Sequence, residues 1–598
     1  MHIVLKRHGP SSWHYSRSFL HSQKSFSRHG VDLNKRLASS QALPKRPRRN
    51  LWLIYPTTLL ALSGVAYYAY EQHQPFRHAV LATLRCSLVA EAAISGAIDY
   101  KRTFSRTYTS EEDRLDAVSQ CHVRSAQKVL KALLANGGIY IKMGQHIASL
   151  IVLPREWTST MAPLQDKCEA TPYEDIAALL LSDMGQPLST LFDDFDPVPI
   201  GVASLAQVHV AYHKASGKKV AVKVQHPHLV EFFHIDMKMV QSTLGWVKYW
   251  FPEFEFTWLG EEMRENLPKE MDFEHEARNT ARAVADFENM KTSLYIPEVI
   301  SANKRILVME YIQGGRVDDL AYLAKHNIDR NKVSLELTRI FSQMVFLNGW
   351  FHADPHPGNL LIRPASKSSK SPYNFEIALL DHGLYFDLTR ELRVNYSRLW
   401  LSLIARSSPV VDAERRKYAE LVGNITPDLY PAFEAAITGR LAFDDSPDAP
   451  GTGIRPEEMG FIQKTVVDDD VLLSVLDVLR RLPRRVPMVM KLNDLTRHLD
   501  HLLATTHSSV RIFVITSKYC MRAVWQDEKR RFHEGLNWFG SLRHIFGSAW
   551  TFATGYSKLT LIELMMDSQA SLIKLNAWTR GFYSRGLAGA HDAAAGLY

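Results

Sequence analysis

The segment FHADPHPGNLLI (351–362) sets His352 two residues before Asp354 and Asn359 five residues after it. A carboxylate so placed could accept or orient the proton of an attacking hydroxyl or water, and an amide five residues on could hold a divalent cation. A second carboxylate, Asp381, ends the apolar run of ALLDHG (378–383), where it could bridge phosphate oxygens through Mg2+. Lys223 closes VAVK (220–223). An ammonium on a strand is costly to bury alone, so it needs a carboxylate partner and an anionic ligand. KEMDFEHEARN (269–279) offers acids at alternate positions: Glu270, Asp272, Glu274 and Glu276. On one continuous helix, Asp272 and Glu276 share a face and Glu270 and Glu274 another, so one face could meet Lys223 while the other points into a site. Taken alone, the same run reads by default as a solvated acidic face. Together these residues suit phosphoryl transfer, which asks for positioning and charge neutralisation more than for covalent chemistry.

Such a set works only if two lobes hold it in place. AQVHVAY and KKVAVKVQ, joined by HKASGK, predict a hairpin turning at Ser216-Gly217. KRILVMEYIQGG (304–315) predicts a strand running into a Gly-rich connector, where the Glu310 carbonyl and the Ile312 N–H would bracket an adenine. Apolar periodicity predicts a helix over 111–135 that stops at NGG (136–138), where Gly supplies a left-handed cap. A new helix then carries YIKMGQHIASL, and further helices are predicted over 228–250 and 258–290. Beyond 315 the pattern is mostly helical, with loops at 363–374 and 443–458 and no internal repeat. A small strand-rich lobe, a connector and a large helical lobe make the α+β, bilobal order of a protein kinase, and Lys, helix Glu, hinge, HxDxxxxN and DxG follow in kinase order. Two kinase parts are missing. No GxGxxG loop covers the phosphates; PIGVASLAQVH (199–209) stands there, with Gly201, Val202, Ala203 and Ser204. No A-P-E segment follows Asp381.

The chain has 598 residues and a net charge of +8, but residues 1–50 hold eleven Lys/Arg against Asp32 alone. The remainder is close to neutral, which argues against nucleic acid as a partner, because that needs a basic face on the folded domain. The four cysteines are too scattered for a disulfide framework or a CxxC metal site and read as buried thiols. The acid-free, Arg-, Ser- and His-rich opening has the composition of a mitochondrial transit peptide over 1–45. LWLIYPTTLLALSGVAYYAY (51–70) carries no charge over twenty residues, enough to cross a bilayer core of about 30 Å. PKRPRRN before it would stay on the matrix side, which places everything after residue 70 in the intermembrane space. The apolar stretch 79–98 contains Arg85 and Glu91 and reads as a packed helix, not a second span.

These motifs together resemble the aarF-domain-containing, or UbiB-like (ADCK-type), family of atypical kinases over roughly residues 110–500. YIKMGQ is similar to that family's K-x-G-Q motif at Lys142, Gly144 and Gln145. PIGVASLAQVH resembles its Ala-rich loop, EMDFEHEARN its E-x-D…E-A-x-N motif, and HADPHPGN and LLDHG its catalytic and metal loops. LPREW…LQD (153–166) also matches, and DHGLY with VPMVMKLNDLTR resembles the branch found in fungal mitochondria. The resemblance implies ATP and Mg2+ as cofactors, with Lys223 and Glu276 as a pair, Glu270 and Asp272 in the substrate cleft, Asp354 as catalytic residue, and Asn359 and Asp381 on the metal. It implies that the K-x-G-Q helix lies over the cleft where a protein kinase receives its peptide; Lys142 and Gln145, as i, i+3 neighbours, could both face that cleft, with Glu270 and Asp272 as partners of Lys142. That arrangement favours an ATPase or a small-molecule or lipid kinase at the mitochondrial inner membrane, acting in lipid or coenzyme Q homeostasis. A catalytically silent nucleotide-binding scaffold and a true protein kinase are the alternatives. Membrane lipids, including a quinone substrate, are the expected partners, and a homodimer or a membrane-protein partner stays open. One departure concerns the Ala-rich loop, where Gly201-Val202 stands in place of a run of Ala; Gly201 is expected to loosen it. The expected domains are the leader 1–45, the span 51–70, a helical extension 79–186, an N-lobe 187–312, a C-lobe 313–520 and a helical region 521–598.

Overall fold

The computed structural model describes residues 63–148, 153–165, 168–252, 256–438, 478, 481–507, 510–534 and 538–595. The leader 1–45, most of the candidate span (51–62) and the loop 443–458 lie outside the described residues. Residues 63–72 are helical and belong to a first unit that ends at His73; everything from Gln74 onward forms a second unit.

The second unit opens with helices. α1 (Gln74–Phe104) is long and apolar enough to cross a membrane by length and composition. It nevertheless packs on α2 (Glu111–Asn136), and its Arg85 donates to Asp236 at 3.0 Å and to the Asn136 carbonyl at 2.7 Å. α2 starts where Ser110 caps the Asp113 N–H at 3.1 Å and three acids fill the first turn, which favours the positive end of a helix. It stops at Gly137 and Gly138, both with positive φ (68° and 51°), a conformation that glycine adopts without strain. α3 (Gly138–Ala148) carries the K-x-G-Q residues, followed by α4 (Arg155–Met161) and α5 (Tyr173–Met184).

The small lobe is a six-stranded sheet of β1 (Phe192–Asp193), β2 (Gly201–Val202), β3 (Ala206–His213), β4 (Lys218–Gln225), β6 (Val299–Ala302) and β7 (Ile306–Glu310). Its spatial order is β1-β3-β4-β7-β6, with β2 paired to β3, and the β3–β4 hairpin turns at Gly217 (φ 62°) as the sequence predicts. One sheet face buries Val220, Val222, Ile306 and Val308 against Ile176 and Leu180 of α5. Between β4 and β6 lie α6 (His228–Trp250), which pairs through Asp236 with Arg85, then α7 (Thr257–Glu270) and α8 (Phe273–Phe287).

The single helix expected over 258–290 is therefore two. Asp272 leaves the helix (φ −101°, ψ 97°) and caps α8 by accepting the Glu274 N–H at 3.0 Å. The Asp side chain competes for backbone donors better at a cap than inside a helix. This break is functional: six residues apart on one helix, Glu270 and Glu276 would diverge by about 120°.

A second sheet, β5-β11-β10-β8, joins β5 (Leu294–Tyr295), β8 (Gly315–Arg316), β10 (Leu360–Pro364) and β11 (Phe375–Leu379), while β9 (Trp350–His352) pairs with β12 (Tyr385–Asp387). Around them stand α9 (Arg330–Ser342), α10 (Arg390–Ile404), α11 (Arg485–Leu502), α12 (Val510–Glu534) and α13 (Trp538–Ala595). Phe351, Phe375, Ile377 and Val489 share the large lobe's core. The fold is thus bilobal and kinase-like with a helical extension. Cys121 and Cys520 are buried, Cys86 and Cys168 are partly exposed, and all four are free thiols.

Candidate active site

Strand β4 carries Lys223 two residues before its end, and the neighbours Val222 and Val224 point into the core while it points away. Its ammonium lies 2.8 and 2.9 Å from the two carboxylate oxygens of Glu276 on α8 and 3.1 Å from Oδ2 of Asp381. Burial disfavours the charge on Lys223, yet Asp381 and Glu276 outweigh it and hold the lysine protonated, above its ordinary range. Glu276 is 1% exposed, and burial pushes it up to about 7 against the opposing pull of Lys223. The same helix grips the DHG loop (381–383) twice. The His382 N–H donates to Glu276 at 3.3 Å, and Asn279, one turn on, donates to the His382 carbonyl at 2.9 Å. This accounts for a Glu and an Asn at i, i+3 in HEARN.

Asp381 accepts the Gly383 N–H at 2.8 Å on its other oxygen. Burial opposes its charge, but Lys223 and that N–H keep it ionised, well below the usual carboxylate range. His352 stitches the DHG loop (381–383) to the HADPHPGN loop (352–359). Its Nδ1 accepts the Asp354 N–H at 3.0 Å, so its proton sits on Nε2, which donates to the Asp381 carbonyl at 2.8 Å. His382, where kinases have Phe, is 2% exposed; burial lowers it to about 3 and keeps it neutral, bonded to Tyr385 Oη at 2.8 Å.

Over this floor lies α3. Lys142 reaches Glu270 at 2.8 Å and Asp354 Oδ2 at 3.6 Å. Burial works against its charge, and the two carboxylates overcome it. Gly144 is required by packing: a Cβ there would collide with Leu164 Cδ1 and come within 2.9 Å of Leu133 Cδ1. The other oxygen of Asp354 accepts from Lys491 Nζ of α11 at 3.1 Å. Although Asp354 is desolvated, Lys491 and Lys142 hold it well below the usual carboxylate range. Lys491 escaped the residue-by-residue reading. Its signal was a lone Lys between Met490 and Leu492 in VPMVMKLND, on a helix whose Val489 and Leu492 are core.

Other expected residues sit elsewhere. Gln145 turns away from the cleft and donates to the Leu164 carbonyl at 3.0 Å, pinning α3 to its own extension. Asp272 is not a partner of Lys142: it is spent on capping α8, with Arg278 at 3.5 Å. Gly201 and Val202 form β2, paired to Val208 and Gln207. Gly201 has no positive φ and open space where a Cβ would stand, so the expected loosening is replaced by regular strand. The turn after it is tight, with the Ala203 N–H on the Ala206 carbonyl at 2.8 Å, His226 Nε2 on the Ala203 carbonyl at 3.0 Å, and Ser204 buried. Glu310 ends β7 opposite Val220 and accepts from Tyr295 Oη at 2.7 Å, while the Ile312 side chain is buried in the connector.

Among the described residues no group of three His, Cys, Asp or Glu is placed to hold a metal by itself. Asn359 donates through Nδ2 to the Asp354 carbonyl at 3.4 Å, which leaves its amide oxygen available to a ligand, and its backbone carbonyl accepts the Leu380 N–H at 2.9 Å, one residue before Asp381. One carboxylate and one amide oxygen fit a cation that brings phosphate and water as its remaining ligands, as Mg2+ does with ATP.

The family profile of the ABC1 atypical kinase-like domain matches residues 163–413. The chain is 41% identical over 472 residues to the ABC1 family protein MCP2 homolog of Schizosaccharomyces pombe, covering 78% of this chain and 84% of that one. It is 39% identical over 510 residues to the ABC1 family protein MCP2 of Saccharomyces cerevisiae, covering 82% and 88%. To the AarF domain-containing protein kinase 1 of Mus musculus it is 36% identical over 530 residues, covering 88% and 95%.

Proposed function

The chain belongs to the family of ABC1 (aarF, UbiB-like) atypical kinase-like proteins, and from that premise we propose that it is an Mg-ATP-dependent ATPase or small-molecule kinase of the mitochondrial inner membrane, acting in lipid or coenzyme Q homeostasis. The observation that carries the reading is the convergence of Lys223, Glu276 and Asp381 within 3.1 Å, beside an Asp354 covered by α3. In this reading Lys223, oriented by Glu276, meets the α- and β-phosphates, and Asp381 with Asn359 holds Mg2+, which supplies charge neutralisation at the phosphates when bound. Asp354 orients the attacking hydroxyl or water. Lys142 and Lys491 neutralise Asp354 at rest.

The lid argues for a small acceptor. α3 occupies the approach to Asp354 that a peptide would need, which favours water, a lipid or a quinone headgroup over a protein substrate. The membrane setting is supported by the basic leader and the uncharged run 51–70, with the kinase-like unit in the intermembrane space. A second reading, a nucleotide-binding protein without turnover, is favoured by the two ammonium groups that already engage Asp354. ATP hydrolysis by the full chain in proteoliposomes separates the two. Turnover that Asp354→Asn abolishes supports the enzyme; binding with no turnover above that variant supports the silent reading.

A further inference from the structure

Helix α13 runs for 58 residues, with its one non-helical backbone position at Gly586. One stripe of it holds the large lobe. Glu563 accepts from Arg339 at 3.0 Å and Lys518 at 2.7 Å, Asp567 pairs with Arg511, and Lys574 reaches Asp329 at 3.0 Å. Phe552 stacks on Trp525 with ring centroids 5.5 Å apart. At about 100° per residue these positions share one face.

The opposite face is apolar and uncovered. Phe546, Trp550, Leu561, Leu572, Leu575 and Phe582 are 42–73% exposed and fall on one arc about 100° wide. The charges are sorted as sharply. The acids between residues 538 and 590 are Glu563 and Asp567, and both are engaged by the ion pairs on the inner face. Exposed Lys558 and Arg580 lie along one edge of the apolar arc, and exposed Arg543 lies within it near its N-terminal end.

We infer that this outer face of α13 lies in the plane of an anionic phospholipid surface. An apolar stripe with basic residues along one edge, and with the half-exposed acid near its other edge, Asp567, already paired to Arg511, is what an interfacial helix presents, and Trp550 and Phe582 near its two ends suit the headgroup depth. A second copy fits worse: an antiparallel two-fold contact would set the edge that carries Lys558 and Arg580 against itself. A transmembrane course is unsuited, because the opposite stripe is committed to ion pairs with α9 and α12. The inference shares only the membrane setting with the proposed function and does not depend on nucleotide chemistry or on residues 51–70 spanning a bilayer.

The test uses the full chain carrying a photoreactive benzophenone amino acid in place of Leu572 or, as control, in place of Glu414, exposed on the helix Pro409–Gly423. The protein is reconstituted in nanodiscs of phosphatidylcholine with or without a minority of phosphatidylglycerol, irradiated and read by mass spectrometry. Phospholipid adducts at position 572 are expected about tenfold above position 414, rising with phosphatidylglycerol and falling with Lys558→Glu/Arg580→Glu. Adducts to a second chain, adducts to another segment of the same chain, or a yield equal to that at position 414 would overturn the inference. In each of those cases the nucleotide reading and the anchor at 51–70 would stand untouched. Lipid adducts indifferent to phosphatidylglycerol and to the charge reversals would overturn the anionic surface as the ligand.

Discussion

Lys142 and Glu270 are 11% and 10% exposed and 2.8 Å apart, so their pair is close to fully buried. Removing one partner leaves the other charged without compensation, whereas neutralising both with side chains of similar shape removes the desolvation cost together with the attraction. Lys142→Met should therefore cost about 3–5 kcal/mol, and Glu270→Gln somewhat less, because Lys142 keeps Asp354 at 3.6 Å as a second partner. The double variant should fall within about 1 kcal/mol of wild type, so the two single costs together exceed the double cost by a coupling of about 4–8 kcal/mol. Urea midpoints of the four proteins in detergent measure it. A coupling below about 0.5 kcal/mol would place the pair among exposed surface ion pairs and refute the lid. The same variants test the chemistry. Lys142→Met leaves Asp354 to Lys491 alone and loosens α3, so autophosphorylation should rise above wild type, and Lys142→Met/Asp354→Asn should abolish it. A signal that survives in the double variant would remove Asp354 from its catalytic role.

Lys491→Ala should lower kcat for ATP hydrolysis by about 10²–10³ with little change in KM, since an ammonium 3.1 Å from Asp354 is placed to answer charge that develops at the γ-phosphoryl group; a changed KM with unchanged kcat would make Lys491 a binding residue only. Gly144→Ala should cost about 1–3 kcal/mol through its clash with Leu164 and Leu133, while Gly201→Ala, with open space at its Cβ, should stay within about 0.5 kcal/mol; equal effects in chemical denaturation would contradict the packing account of K-x-G-Q. His146 is lowered to about 3 by burial, with Lys491 and Lys142 adding to it. Its folded value lies below the unfolded one of about 6.5, so its contribution is present above about pH 6.5 and is lost as pH falls toward about 3, at up to about 1.4 kcal/mol per pH unit. His146→Gln should flatten the slope of stability between about pH 7 and about pH 5 by roughly one proton; an unchanged slope would rule the histidine out.

What the sequence disclosed and what it withheld divide along physical lines. VAVK, HADPHPGN, LLDHG and YIKMGQ are contiguous, and their local backbone decides where Lys223, Asp354, Asp381 and Lys142 point. The β3–β4 hairpin and the helix 228–250 were legible for the same reason. Lys491 was not, because it lies 137 residues from its partner Asp354 and only tertiary packing joins them. Gln145 shares a helix with Lys142, but a carbonyl on the neighbouring turn, at Leu164, claims its amide. The break at Asp272 had a local signal, a capping side chain before Phe273 with Pro268 upstream, and the alternating acids obscured it.

The central claim is that Lys223 and Asp381 form a site for Mg-ATP. Thermal unfolding of the full chain with and without Mg-ATP tests it most directly. At a hundredfold excess over Kd, the nucleotide should stabilise wild type by about 2.7 kcal/mol, and Lys223→Ala and Asp381→Asn should each lose that stabilisation while still unfolding cooperatively. An undiminished shift in either variant would contradict the account.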